Sequence, residues 1–119
     1  VFGDGLQLRD FNYVDDCVEA LLLAGSSDQA NGKVYNLGGS EVIGLKDLAK
    51  IMVNLCHGGS FELAPFPSER KAIDIGDYYS DFSLITKELG WTPKIDLKDG
   101  LELTLNYYRE HFSHYWDEK

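Results

Sequence analysis

Short extended segments alternate with amphipathic helices in the first half of the chain, and this order constrains the fold more than any other feature. Residues 6–9 alternate apolar and polar side chains, which is typical of a strand. Apolar side chains at helical spacing follow, with Asp15 as the expected N-cap and Gly25 as the expected helix end. The segment KVYNLGG, residues 33–39, predicts a buried strand, and residues 45–56 predict a second helix. This order of strand, helix, strand and helix favours a parallel α/β arrangement.

The second half of the chain is irregular before it becomes helical again. The segment SFELAPFP predicts a short strand that Pro65 and Pro67 interrupt. Residues 68–80 mix charge, glycine and tyrosine without a helical period. Such a stretch suits a loop over a site and a plain surface connection equally well, and the sequence leaves this choice open.

Two further helices are indicated by the residues at their ends. Asp81 stands at the expected N-cap of FSLITKEL, and Gly90 fits the left-handed position at the end of that helix. Asp96 or Lys98 begins a last helix whose apolar side chains recur every three to four residues. The tail WDEK, residues 116–119, is expected to fray.

Composition and charge indicate an ordinary folded domain. With 119 residues, of which 44% are hydrophobic and 26% charged, the chain is expected to form one unit over residues 1–119. We expect a soluble protein, because no apolar run approaches the length that spans a bilayer and no signal-like start is visible. The formal net charge of −9 argues against general binding to nucleic acid or to anionic membranes. Basic groups must therefore act locally if they bind anions.

Cysteine and histidine residues show no metal-binding pattern. Cys17 and Cys56 lie in apolar helical patterns, which favours buried, reduced thiols in a cytoplasmic protein and leaves a disulfide between them as the alternative. His57, His111 and His114 lack further ligands at zinc-binding spacing. We therefore predict no metal site.

Positive charge is concentrated at two places, Arg9 and the pair Arg70 and Lys71. Arginine forms bidentate hydrogen bonds with phosphate, so two such groups in one cleft would hold a diphosphate in an otherwise acidic protein. The alternative is that these side chains form salt bridges with the many surface carboxylates. The sequence does not show whether the two places meet.

Other polar residues have structural explanations. Asp15 as a helix cap and Asp16 near the positive end of the same helix account for that pair without catalysis. Asn36, Gly38 and Gly39 suit a turn between strand and helix, which needs small residues, better than a ligand site. We assign no catalytic residue.

The chain resembles a known enzyme family in three separated blocks. Residues 2–24, with the RDF-x-YV-x-D stretch, residues 33–52, and residues 80–111, with the ELGW-x-P turn, are similar to the carboxyl-terminal blocks of NAD-dependent sugar-nucleotide epimerases and dehydratases. These enzymes form the extended short-chain dehydrogenase/reductase group. The resemblance implies an α/β fold, namely the C-terminal substrate-binding part of an extended Rossmann-type enzyme, with a few short strands and four main helices.

Two motifs of that family are absent from the sequence. Gly3 and Gly5 are not followed by a third glycine at the dinucleotide-binding spacing, and none of Tyr13, Tyr35, Tyr78 and Tyr79 has a lysine four residues later. Tyr115 and Lys119 have that spacing, but they follow the three matched blocks, whereas the family's pair precedes them. The resemblance therefore implies that NAD binds the full-length parent rather than this chain, and that the chain alone is inactive. Its first residue, Val1, fits a natural fragment and a trimmed protein equally well.

The resemblance also implies substrate-binding residues and partners. In similar enzymes the arginine of the Q-x-RDF block contacts the diphosphate of the sugar nucleotide, which implies roles for Gln7 and Arg9. A second arginine contacts the diphosphate from the other side, and either Arg70 or Lys71 matches it. The implied partners are a nucleotide-diphosphate sugar and, because family members commonly dimerise, a second copy of the protein. A free-standing binding or assembly module derived from the same fold remains the alternative function.

Overall fold

The computed structural model describes residues 1–116, so the expectation that the tail frays falls largely on residues 117–119, outside the described residues. Two short strands and four longer helices form the described part, together with a single 3-10 turn and two four-residue helices. In chain order these elements are β1 (Leu8–Asp10), α1 (Val14–Ser26), the 3-10 turn (Asp28–Ala30), β2 (Val42–Gly44), α2 (Leu45–Cys56), α3 (Ser68–Lys71), α4 (Ser83–Leu89), α5 (Leu97–Glu110) and α6 (Phe112–Tyr115). The predicted α/β class and its four main helices are confirmed.

Strands β1 and β2 pair antiparallel, with Arg9 opposite Ile43. The expected parallel arrangement is therefore wrong for the one sheet found in residues 1–116. The strand predicted in SFELAPFP is reduced to a single parallel bridge between Phe2 and Ala64. Two hydrogen bonds tie Ala64 to the first residues of the chain, since its N–H donates to the Val1 carbonyl and its carbonyl accepts from the Gly3 N–H.

The segment KVYNLGG alternates as a strand should, but it forms no strand within the described residues. Tyr35 and Leu37 pack against the core, whereas the side chain of Val34 is 84% exposed. A strand is defined by hydrogen bonds to a neighbour, and no segment of residues 1–116 pairs with this one. The sequence pattern was sound for the direction of the side chains and wrong for the pairing.

A small core joins the first and second halves of the chain. Ala20 of α1, Ile85 of α4 and Trp91 are each 1–2% exposed and pack together. Phe82 meets Trp91 edge to face, with 5.9 Å between the ring centroids. This core fixes α1 and α4 on one another around the turn that follows α4.

Two of the five predicted helix ends, Asp96 and Gly90, are confirmed, whereas Gly25 lies inside α1, which continues to Ser26. The Asp96 carboxylate accepts the Asp99 N–H at 2.9 Å at the start of α5, and Gly90 ends α4 with a φ of 72°. Asp81 accepts the Ser83 N–H at 2.9 Å, although Phe82 holds the N-cap position itself. The expectation for Asp15 is wrong, because α1 begins at Val14 and Asp15 is an exposed residue inside its first turn.

The sequence also made predictions about helix length and about the burial of the two cysteines. Within residues 1–116, no helix combines the length and the apolar character needed to cross a bilayer. Cys17 and Cys56 are both free thiols. Cys17 is half-buried, but the expectation of a buried thiol is wrong for Cys56, which lies exposed in the last turn of α2.

Candidate functional site

Arg9 is held in place by backbone carbonyl groups rather than by a carboxylate. It lies in the middle of β1, and its side chain is only 21% exposed. The Nη1 atom donates to the carbonyl oxygens of Leu8, at 2.6 Å, and of Gly76. The nearest carboxylate oxygen, that of Asp74, lies 3.9 Å from Nη2. The guanidinium group is therefore fixed in orientation while its ion pair is loose.

The other donors of Arg9 form no hydrogen bond in the described part of the chain. A guanidinium carries five N–H groups, and two of them are on Nη1. Among residues 1–116, Nε and Nη2 donate no hydrogen bond within 3.5 Å. The edge of the guanidinium group that carries Nε and Nη2 has the geometry that binds two oxygens of a phosphate group.

The irregular stretch after α3 lies along β1. The Leu8 N–H donates to the Asp77 carboxylate at 2.8 Å, and the Leu8 carbonyl accepts from the Tyr78 N–H at 3.0 Å. Arg9 and Tyr78 also form a parallel bridge. The structure therefore places residues 74–78 against the strand that carries Arg9, which favours a role at the site over a plain surface connection.

An apolar cavity of about 310 Å³ lies beside this strand. Its polar wall consists of Gln7 and of Asp74, the partner of Arg9. The Gln7 side-chain Oε1 is buried and has no hydrogen-bond partner among the described residues. Apolar side chains form the rest of the wall, namely Val1, Phe2, Leu45, Leu48, Ala49, Met52 and Phe66. A mostly apolar cavity with a few polar groups at one side is the usual form of a small-molecule site.

Of the second pair of basic residues, Arg70 and Lys71, only Arg70 lies next to this cavity. The guanidinium carbon of Arg70 lies 5.8 Å from the ring centroid of Phe2, which lines the cavity. Lys71 is exposed, and within residues 1–116 it forms no ion pair and does not line the cavity. Gln7 thus lines the cavity itself, whereas Arg9 and Arg70 each contact one residue of its wall, Asp74 and Phe2 respectively. The side chain of Lys71 makes no such contact among the described residues.

Two aspartates at the site, Asp74 and Asp10, were not predicted from the sequence as site residues. Asp74 pairs with Arg9, and its only sequence signal was its position in the stretch that could cover a site. The Asp10 carboxylate accepts the N–H groups of Gly39 and Ser80, both at 3.1 Å. Asp10 thus connects β1 to two turns that are distant in the sequence. The spacing of apolar and polar residues does not predict this role.

The double glycine is required by close packing. A Cβ on Gly39 would stand 2.5 Å from the Phe11 carbonyl oxygen, and one on Gly38 would stand 2.8 Å from the Asp10 carboxylate. This contact supports the structural explanation of Gly38 and Gly39. In residues 1–116, no three His, Cys, Asp or Glu side chains are grouped so that they could hold a metal ion.

Comparison with known proteins places this geometry in a family. Residues 1–104 match the family described as GDP-mannose 4,6 dehydratase. The chain belongs to the NAD-dependent epimerase/dehydratase family. It is 33% identical over 117 residues to dTDP-glucose 4,6-dehydratase of Streptomyces griseus, a match that covers 98% of this chain and 34% of that protein. It is 35% identical over 112 residues to GDP-mannose 3,5-epimerase 1 of Oryza sativa, covering 92% of this chain and 28% of that protein.

Solved structures agree with this assignment. The fold is similar to that of UDP-glucose 4-epimerase from Thermotoga maritima, crystallised with UDP-glucose, with a TM-score of 0.82 and 31% identity. That match covers 94% of this chain and 35% of the epimerase. UDP-glucuronic acid 4-epimerase from Bacillus cereus, in complex with NAD, gives a TM-score of 0.76 at 26% identity, covering 94% of this chain and 34% of that one. The chain therefore spans about a third of the length of its relatives, and it matches their carboxyl-terminal part.

Proposed function

We propose that this chain is the substrate-binding part of an NAD-dependent nucleotide-diphosphate-sugar epimerase or dehydratase. The observation that carries the proposal is the Arg9 guanidinium, whose Nη1 is fixed by two carbonyl groups and whose Nε and Nη2 donate no hydrogen bond within residues 1–116. A guanidinium oriented in advance loses little freedom when it binds an anion, so its hydrogen bonds contribute more to affinity. Arg9 is thus suited to hold a diphosphate in a chain whose net charge of −9 repels anions elsewhere.

Gln7 and Arg70 extend the same site in this proposal. Gln7 offers a buried side-chain oxygen on the cavity wall, and Arg70 adds a second positive charge over the Phe2 ring. Lys71, the other candidate for the second phosphate contact, is exposed, and its ammonium group forms no hydrogen bond or ion pair with a residue of the cavity wall within residues 1–116. The proposed ligand is a diphosphate joined to groups that enter an apolar pocket, as in a nucleotide-diphosphate sugar.

The residues of this chain do not fit NAD. Its glycine turn at Gly3 and Gly5 leads into β1 rather than into a helix N-terminus, where a dinucleotide diphosphate would bind. We assign NAD and the redox chemistry of the sugar to other parts of a full-length parent, and to this chain only binding and orientation of substrate. The isolated chain is accordingly inactive in this proposal. We place the protein in the cytoplasm and propose that the parent is a homodimer.

Substitution of Arg9 in the full-length parent tests the proposal. Arg9→Leu removes the phosphate contact, so KM for the sugar nucleotide should rise by about tenfold to a hundredfold, the equivalent of about 1.5 to 3 kcal/mol. Steady-state kinetics with UDP-, dTDP- and GDP-sugars measure this effect and identify the base. Arg109→Leu is the matched control, because this exposed arginine of α5 donates hydrogen bonds only to Asn106 and Leu55 among the described residues and contacts neither Asp74 nor the cavity.

An unchanged KM together with a lower melting temperature would show that Arg9 only supports the structure. The alternative of a free-standing module is tested separately. An open reading frame ahead of Val1 that encodes the glycine fingerprint and the Tyr-x-x-x-Lys pair supports the enzyme, and its absence supports the module.

A further inference from the structure

The carboxylate on the wall of the cavity beside β1 receives no hydrogen bond from the described residues. The side chain of Asp74 is 26% exposed, and its Oδ1 lies 3.9 Å from Nη2 of Arg9, which is beyond hydrogen-bond distance. Within residues 1–116, no other group donates to either of its carboxylate oxygens. A partly buried carboxylate in this condition is suited to accept N–H or O–H groups from a ligand.

The other polar residue of the cavity wall also lacks a partner. Oε1 of Gln7 is buried and accepts no hydrogen bond in the described part of the chain. An unpaired buried acceptor costs free energy, which a donor on a ligand would recover. A cationic donor is disfavoured here, because Arg9 lies beside Asp74 and would repel it. Hydroxyl groups are uncharged donors, so they suit both Gln7 and Asp74.

The distance between Asp74 and Arg9 indicates which part of the ligand meets this carboxylate. The inference rests on the proposed function, in which Arg9 holds a diphosphate through Nε and Nη2. A phosphate group on Nη2 stands next to Asp74, so the ligand group at Asp74 is the one joined directly to the diphosphate. In a nucleotide-diphosphate sugar that group is a sugar ring, either the ribose or the hexose, whereas the base lies one ring further away.

The apolar side chains of the cavity suit a sugar ring as well. The rings of Phe2 and Phe66 both line the cavity, with 5.7 Å between their centroids. A sugar ring presents C–H groups on its faces and hydroxyl groups at its edge. Packing of the C–H groups on the aromatic rings therefore leaves the hydroxyl groups available to Gln7 and Asp74.

We propose that Asp74 and Gln7 accept the hydroxyl groups of an uncharged sugar ring beside the diphosphate, so that Asp74 determines which sugar binds. A carboxylate on that ring has no donor for Asp74 and adds a like charge next to it, which weakens binding. A ring that lacks the hydroxyl group leaves a buried acceptor unpaired, which also weakens binding. Asp74 therefore discriminates against a hexuronic acid or against a deoxyribose, according to which ring it meets.

Isothermal titration of the 119-residue chain tests this discrimination through two ratios of dissociation constants. The hexose ratio compares UDP-glucuronic acid with UDP-glucose, and the ribose ratio compares dUDP with UDP. We expect one of these ratios to be about tenfold or more, and Asp74→Ala to reduce it to about twofold or less. Removal of a negative charge beside Arg9 strengthens the binding of every ligand, but this gain cancels in a ratio. The ratio that responds identifies the ring that lies against Asp74.

Two further variants separate this inference from the proposed function. Arg9→Leu should weaken the binding of all four ligands by about tenfold or more, because it removes the phosphate contact. Glu69→Gln is the matched control for charge, since Glu69 is an exposed acid of α3 that is not among the described residues lining the cavity. It should leave both ratios within about twofold of their values in the unmodified chain.

The possible results distinguish the two proposals. If both ratios are below about twofold in the unmodified chain, or if Asp74→Ala leaves them unchanged, the inference is overturned and Asp74 only neutralises Arg9. The proposed function stands in that case, provided that Arg9→Leu weakens binding. Binding that Arg9→Leu leaves unchanged would overturn the proposed function and this inference with it.

Discussion

At the scale of single residues, Asp16 shows how one buried carboxylate joins distant parts of the chain. Its side chain is 2% exposed, and its Oδ2 accepts the N–H groups of Lys94 and Ile95 at 3.1 and 3.0 Å. Its own carbonyl accepts the indole N–H of Trp91 at 3.0 Å. From the sequence, Asp16 was explained by the positive end of a helix alone. Its larger role is to fix the turn after α4 on α1.

Asp16→Ala should lower the free energy of unfolding by about 3 kcal/mol, because it leaves two partly buried N–H groups without an acceptor. Urea denaturation followed by circular dichroism measures the loss. Asp15→Ala is the matched control, since its exposed side chain makes no hydrogen bond in the described residues, and it should change the free energy by less than about 0.5 kcal/mol. Equal effects of both substitutions would show that helix charge, rather than the Asp16 acceptor, matters.

The glycines also differ residue by residue. Gly39→Ala should destabilise the chain by about 2 kcal/mol or more, because its Cβ would stand 2.5 Å from the Phe11 carbonyl oxygen. Gly25→Ala should stabilise it by about 0.5–1 kcal/mol, because this position in α1 has open space around it and alanine is the better helix former. Thermal melts of both variants decide the matter, and a neutral Gly39→Ala would contradict the close contact.

At the scale of elements, one hydrogen-bonded group attaches the unpaired segment 33–37 to α4. The Glu88 carboxylate accepts from Lys33 Nζ at 2.8 Å and from the Tyr35 hydroxyl at 2.6 Å. The hydrogen bond to Glu88 raises the pKa of Tyr35 to about 12. The bond from Lys33 and then that from Tyr35 lower the pKa of Glu88. These side-chain hydrogen bonds hold residues 33–37 against α4, although the segment pairs with no strand in the described residues.

The alkaline stability of the chain should depend on Tyr35. Folding favours the neutral phenol, so this contribution is complete below pH 10 and is lost as the pH rises toward about 12. Denaturation between pH 9 and pH 12 should therefore show a steeper loss of stability in the unmodified chain than in Tyr35→Phe. Tyr79→Phe, at an exposed tyrosine outside this group, should behave as the unmodified chain does. Parallel curves for the unmodified chain and Tyr35→Phe would refute the assignment.

At the scale of the whole molecule, the chain is more extended than a self-contained domain of its length. Its radius of gyration is 17.2 Å, whereas about 13.5 Å is usual for a compact domain of this size. Among residues 1–116, four hydrophobic residues are buried, namely Ala20, Ile85, Trp91 and Leu97. Both observations agree with a chain that spans about a third of its relatives' length.

The chain alone should bind NAD no more tightly than millimolar, because residues 1–116 present no glycine-rich turn at a helix N-terminus. Isothermal titration of the 119-residue chain with NAD measures this affinity. UDP serves as the comparison ligand, since Arg9 and Arg70 should give it the higher affinity of the two. Micromolar binding of NAD would mean that a dinucleotide site had been overlooked in this chain.

The sequence by itself determined the elements whose signals are local. Periodic apolar side chains located the four main helices, and α2 has the bounds that were predicted, while Asp96 and Gly90 mark helix ends through contacts within a few residues. The family resemblance added Arg9 and its block. Only the tertiary structure decided which segments meet. Strand pairing, the burial of Asp16 and the arrival of Asp74 beside Arg9 join residues more than thirty positions apart, and such contacts leave no periodic trace in a single sequence because each partner looks like an ordinary surface residue.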